Sequence, residues 1–184
     1  MADPPPTYYF AYGSNISTTQ MLDRCPSSTP LGLAHLSGWT FQINQRGYAN
    51  ILHPSTPPSP PIGIYGMLYR LDPTDEQTLD FHEFVPINYQ KHYLRVTIIY
   101  STAEGLSTGM RVDALVYVSD LTTPGFAGNE YIHRMNRGIV EAGGWCMPPW
   151  YVFTVLRPYI PEESELGDRD LWEGEDDAWN PCIS

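Results

Sequence analysis

Residues 8–15, Tyr-Tyr-Phe-Ala-Tyr-Gly-Ser-Asn, constrain this chain more than any other stretch. Apolar and aromatic residues run as in a strand and stop at a Gly-Ser-Asn corner. Ile16 to Leu22 then reads as a short helix with a hydroxyl at its start. A strand that ends in small polar residues against a helix N-terminus leaves backbone N–H groups without intrahelical partners. Those groups, with the positive end of the helix, suit a carboxylate or a phosphate. Gly13 permits close backbone approach at that point. Corners of this kind also occur as plain turns with nothing bound, so the residues alone leave an anion cradle and a bare turn on equal footing.

The rest of the chain reads as strand-rich. Its 18 prolines weigh against a mostly helical fold, and its 13 tyrosines and 5 tryptophans favour sheet. The pattern predicts strands over 7–12, 49–52, 62–71 and 89–100. Residues 31–43 form two strand pieces broken at Gly38, and 110–118 return as a hairpin partner after a turn at 103–105. Helices are predicted from Ser17 to Arg24, stopping before Pro26, and after Asp72-Pro73, with Leu79 and Phe84 facing inward. A further helix spans Glu130 to Ala142, capped by Asn129 and closed by Gly143-Gly144, and Pro148-Pro149 opens a last one to about Leu156. Strands come early and helices late, which favours α+β over repeating βαβ units. The 184 residues suit one domain over 7–160, with a short lead at 1–6 and an acidic tail at 161–184. The proline-rich run 54–61 is a stiff extended loop within that domain.

Charge and cysteine usage exclude several functions. The net charge is −11, and nine of the 21 acids lie between Glu162 and Asp177 with only Arg169 against them. Lys91 is the sole lysine and no basic stripe exists, which disfavours nucleic acid and anionic membrane surfaces. Three dispersed cysteines (Cys25, Cys146, Cys182) form no CxxC pair and no metal-ligand spacing. No leader-like or membrane-length apolar run is seen, so the expectation is a soluble, cytoplasmic protein with reduced thiols. Neither a phosphate-binding loop nor a dinucleotide fingerprint appears, so no cofactor is expected.

Glu83 is the candidate acid/base. Phe81 and Phe84 flank it; turned inward it would stand in a poorly hydrated wall, where its pKa rises towards neutrality. A solvated glutamate at the end of a surface helix is the commoner arrangement. His82 adjoins it on the same helix and cannot face it. Tyr89 and Tyr131 could each supply a pocket with an apolar wall and one hydrogen bond, or serve as core. Trp145, Trp150 and Tyr151 read as core, and no local signature supports a Cys–His dyad.

Several segments in fixed order resemble the gamma-glutamylcyclotransferase family, also described as AIG2-like. Phe10-Ala11-Tyr12-Gly13-Ser14-Asn15 matches its signature loop, and Met21 with Arg24-Cys25-Pro26 resembles the segment after it. Arg46 to Ile51 resembles the next strand, Gly66-Met67-Leu68-Tyr69-Arg70-Leu71 matches a GxLYxL strand, and Leu79-Asp80-x-x-Glu83 matches the stretch bearing the family's glutamate. The resemblance implies a small mixed β-barrel with helices packed outside and neither metal nor organic cofactor. It implies that Glu83 is buried at a pocket mouth as general acid/base. Tyr12, Gly13, Ser14, Asn15, Tyr89 and Tyr131 would bind a small γ-glutamyl substrate. The implied reaction releases 5-oxoproline and an amine or amino acid. The leaving group stays open among amino acids, peptides, amines and pathway adducts; a non-catalytic binding protein on the same barrel also stays open. A homodimer is compatible with the sequence. One departure stands out: the family often has Gly after the glutamate, where this chain has Phe84, which suggests a reshaped pocket.

Overall fold

A computed structural model describes residues 7–53 and 62–163. The lead at 1–6, the proline-rich run 54–61 and nearly all of the acidic tail lie outside the described residues. Among the described residues seven strands are formed: β1 (Thr7–Ala11), β2 (Thr29–Leu36), β3 (Thr40–Ile43), β4 (Ala49–Leu52), β5 (Ile64–Leu71), β6 (Gln90–Ser101) and β7 (Arg111–Val118). Five of them close into a barrel in the order β1-β5-β2-β6-β7. Three pairings next to β5 and β6 are antiparallel, as is β6 with β7, and the closing pair of β1 with β7 is parallel through Tyr9 and Leu115. The expected α+β single domain with a small mixed barrel is what forms. Its core is filled by Phe10, Leu33, Met67, Leu68 and Leu115, each nearly or fully buried.

The β3–β4 hairpin stands apart from the barrel. Asn50 fastens it to the end of β7: its side-chain NH2 donates to the carbonyls of Ser119 and Leu121, and its oxygen accepts from the Ser119 N–H. A buried amide with its bonds satisfied on both sides fixes one docking geometry. The hairpin thereby becomes a wall for whatever lies at the end of β1.

Helices surround the barrel. After β1 the chain makes a single 3-10 turn at Ser14–Ile16 and enters α1 (Thr18–Arg24), with the Ser17 hydroxyl accepting from the Gln20 N–H at 3.1 Å. Asp72 caps α2 (Pro73–His82) by accepting from the N–H groups of Thr74 and Asp75, and Pro73 sits in the first turn. The long α3 (Asn129–Gly143) lies against the 3-10 turn. Contact there is so close that a Cβ on Gly138 would stand 2.5 Å from the Ile16 side chain. Glu141, near the end of α3, accepts from the Ser17 and Thr18 hydroxyls and the Thr19 N–H, tying α3 to the start of α1. A last short helix, α4 (Pro149–Tyr151), runs on into a π-turn at Val152–Leu156.

Three local expectations are corrected. Gly128, in extended conformation, takes the cap position of α3, so Asn129 is its first residue and no side chain caps it. α2 ends at His82, so Phe84 lies beyond the helix and not on its inward face. Trp150 is half exposed, whereas Tyr151 is fully buried. Among the described residues, no helix is long and apolar enough to cross a membrane.

Candidate active site

Glu83 is the C-cap of α2, and the chain turns sharply after it. The Val85 N–H donates to the Asp80 carbonyl and the Phe84 N–H to that of Phe81. This is the paired bonding of a Schellman ending, which places the following residue in the left-handed region. That residue is Phe84, at φ 53°. Glycine suits the position because it has no Cβ to clash there. The turn swings Glu83 off the helix surface and into the protein, leaving it 8% exposed.

Glu83 lines a small recess, about 30 Å3, between the barrel end, the Gly13–Asn15 corner and the β3–β4 hairpin. Tyr12, Gly13, Ser14, Asn15, Tyr89 and Tyr131, all singled out from sequence, line the same recess. The structure therefore brings every candidate together from four separate segments. Phe84 is not among the lining residues, so its ring does not itself reshape the recess wall. Burial pushes the Glu83 carboxyl up to about 7; the nearby Arg24 and Arg134 guanidiniums and a hydrogen bond from Asn15 pull the other way. At neutral pH the group can take a proton and give it back with comparable ease.

Asn15 is the hub of the polar network. Its side-chain NH2 donates to Glu83 Oε1 at 3.2 Å and to the Tyr9 hydroxyl at 3.0 Å. Its oxygen accepts from Gln20 at 2.8 Å and Arg24 at 3.1 Å. Gln20 also donates to the Ser14 hydroxyl, which Arg134 reaches from α3 at 3.0 Å.

Phenols form the walls. Tyr12 donates to the Tyr117 carbonyl at 2.6 Å, Tyr89 donates to the Ala49 carbonyl at 2.8 Å, and Tyr117 donates to Asp80 at 2.7 Å. The Tyr131 hydroxyl accepts from the Ala49 N–H at 3.2 Å and also faces the Ser14 N–H. It approaches Gly13 so closely that a Cβ there would lie 2.9 Å from it. Burial holds Tyr9, Tyr12 and Tyr89 far above the ordinary phenol range, so all remain neutral.

Sequence reasoning missed the cations. Arg24, in the last turn of α1, lines the recess, and Arg134 stands over the Tyr131 ring at 5.1 Å. Arg134 is neutralised by a two-bond pair with Glu130. The spacing Tyr131-x-x-Arg134 on one helix face was a usable signal; Arg24 had only its place in the matched segment. Cys25 is buried and its thiol is pushed up to about 12 by that burial, which leaves it inert as a nucleophile. Among the described residues, no three His, Cys, Asp or Glu side chains come together as metal ligands.

Residues 9–146 match the model of a family described as gamma-glutamyl cyclotransferase, AIG2-like. Among curated proteins none matches this chain. A solved structure described as a gamma-glutamyl cyclotransferase superposes with a TM-score of 0.64 at 19% identity, covering 82% of this chain and 88% of its own. An uncharacterized protein from Homo sapiens does so with the same score and identity over 83% and 89%. YkqA from Bacillus subtilis is 22% identical, with a TM-score of 0.64 over 84% of this chain and 54% of its own. At these identities the likeness carries the fold.

Proposed function

The chain belongs to the gamma-glutamyl cyclotransferase, AIG2-like family, and from that premise we propose that it cyclises a γ-glutamyl group, releasing 5-oxoproline and a free amine or amino acid. The observation that carries this reading is Glu83: a carboxyl buried in a recess, held by Asn15, with its proton affinity raised to about neutrality.

The substrate's α-amine attacks its own γ-carbonyl carbon. A new C–N bond closes a five-membered ring, and the original amide C–N bond then breaks. The α-amine has a pKa of roughly 8 and arrives mostly as ammonium, which has no lone pair. The attacking nitrogen must lose two protons and the departing nitrogen must gain two. Glu83 carries them, through Oε2, because Oε1 is engaged by Asn15. As a relay it returns to carboxylate at the end of the cycle.

Charge develops on the γ-carbonyl oxygen as the ring closes. The amides at Gly13 and Asn15, together with the Tyr131 hydroxyl, are the proposed donors to it. Tyr131 suits this because the N–H groups of Ala49 and Ser14 approach its oxygen and leave its own proton to give. Tyr12 and Tyr89 hold the chain folded back and keep water out, since hydrolysis is the competing reaction. The attack is intramolecular, and aligned intramolecular reactions reach effective molarities of about 10⁵ M or more.

Glu83→Gln keeps the shape and removes the basicity. Release of 5-oxoproline from γ-glutamyl donors should fall by about 10²–10⁴-fold. A variant within about tenfold of wild type, a barrier change of only about 1.4 kcal/mol, would show that another group moves the protons.

A further inference from the structure

The recess is lined by a cation, Arg24, that forms no ion pair with any acid among the described residues. Arg134 has Glu130, but among the described residues no carboxylate lies within ion-pair distance of Arg24. Its hydrogen-bond partner is the neutral oxygen of Asn15, reached by one guanidinium nitrogen at 3.1 Å. A guanidinium drawn out of water without a counter-charge is costly, and a fork with five N–H donors is underused by one neutral acceptor. Glu83, the acid that senses Arg24 across the recess, is protonated during the reaction proposed above and cannot serve as a lasting counter-ion.

We propose that Arg24 receives the α-carboxylate of the glutamyl donor and makes a free α-carboxylate a requirement of the substrate. This inference rests on the γ-glutamyl reading and divides its anion sites: the corner amides and Tyr131 meet the developing oxyanion, and Arg24 meets the standing charge. The side chain is held for that task. Gln20 and Arg24 stand one turn apart on α1 and both donate to Asn15. One guanidinium nitrogen is thus anchored on Asn15, and Arg24 lines the recess. A two-pronged bond to a carboxylate is the pairing for which this group is built. The same placement sets the α-amine, attached to the carbon next to that carboxylate, within the neighbourhood of Glu83. Selectivity for the glutamyl end and orientation of the nucleophile therefore come from one contact.

The test compares γ-glutamylalanine with the same compound bearing an α-carboxamide. The measured quantity is the ratio of kcat/KM for the two, so a general loss of activity cancels. Wild type should prefer the carboxylate by about 100-fold or more, and Arg24→Gln should shrink that preference by at least about 30-fold, chiefly through KM. If Arg24→Gln fails to fold, Arg24→Lys decides. Its single-point ammonium should weaken the preference by about fivefold or more, and a ratio at the wild-type value overturns the inference. A variant that instead loses discrimination between γ-glutamylalanine and γ-glutamylmethylamine would place the cation at the leaving group and also overturn it. Calorimetric binding of 5-oxoproline and of its carboxamide separates the two layers. Wild type that neither binds 5-oxoproline nor releases it from any donor removes the γ-glutamyl reading and this inference together. Wild type that does both, with Arg24→Gln retaining the full ratio, removes the role of Arg24 alone.

Discussion

Asn15 turns its NH2 group towards Glu83 because Arg24 holds its oxygen. A guanidinium only donates hydrogen bonds, so the atom of Asn15 that lies 3.1 Å from Arg24 must be the carbonyl oxygen. The NH2 group then faces Glu83 Oε1 at 3.2 Å and cannot flip without losing both contacts. A donor fixed in that way favours the ionised carboxylate and partly offsets the burial that favours the acid.

Replacing that donor by an acceptor should reverse its effect. Asn15→Asp keeps the bonds from Gln20 and Arg24 but sets one carboxylate against another. The acidic limb of the kcat/KM profile should then move up by about one pH unit or more, since two adjacent carboxyls resist joint ionisation. An unmoved limb in an otherwise active variant would show that Asn15 does not tune Glu83.

Glu83 should also make the fold less stable as pH rises. Its carboxyl ionises near 4.5 in the unfolded chain and at about 7 in the fold. Below the lower value both states hold the proton and the group contributes no difference. Between the two values the native state alone holds it, so stability declines with pH until both states are ionised, a total of about 3 kcal/mol. Glu83→Gln removes this dependence. Denaturant unfolding should find the variant more stable than wild type at pH 8 and nearly equal to it at pH 4. Parallel stability curves for the two proteins would mean that the carboxyl is not in a dry environment. On the same grounds kcat/KM should drop as pH falls below about 7, as the base becomes protonated.

Local signals made much of this fold legible and hid its central feature. Ser17 before a helix, Pro26 after it, Asp72-Pro73 at another start and the alternation over 62–71 each act within a few residues, and each element formed within two residues of where they placed it. The burial of Glu83 was not readable from its neighbours, because it depends on a helix ending at His82 and on Phe84 taking a conformation that favours glycine. Had the position held Gly, the ending would have been visible. Arg24 and Arg134 converge on Ser14 and Asn15 from helices far apart in the chain, and no spacing rule spans that distance. The cap of α3 shows the opposite failure: Asn129 is the better capping residue, yet Gly128 has the extended geometry that the entering chain requires.

Phe84 gives a direct measure of the strain behind Glu83. Both Phe84→Ala and Phe84→Gly remove the ring, but only glycine removes the clash of a Cβ at φ 53°. Phe84→Gly should therefore be the more stable of the two by about 1 kcal/mol, the left-handed penalty less the extra backbone entropy of glycine. Both should turn over substrate within a few-fold of wild type, because the ring is not part of the recess wall. Equal stabilities would indicate that the chain after Glu83 relaxes out of the left-handed conformation when the ring is lost.

The contact between Gly13 and Tyr131 can be tested by breaking it and then relieving the break. A Cβ at position 13 would stand 2.9 Å from the Tyr131 hydroxyl and 3.2 Å from the Ala49 side chain. Gly13→Ala must therefore push the phenol away from the N–H of Ala49, which now donates to it at 3.2 Å. The variant should lose at least about tenfold in kcat, equivalent to about 1.4 kcal/mol. Tyr131→Phe loses the hydroxyl outright and should lose a similar amount. Once that hydroxyl is absent, the added methyl has most of its room back, so the double variant should be little worse than Tyr131→Phe alone. The cycle should show a coupling of about 1 kcal/mol in favour of the pair. Effects that simply add would mean that the corner and the phenol act independently, and that Gly13 is needed for the approach of some other atom.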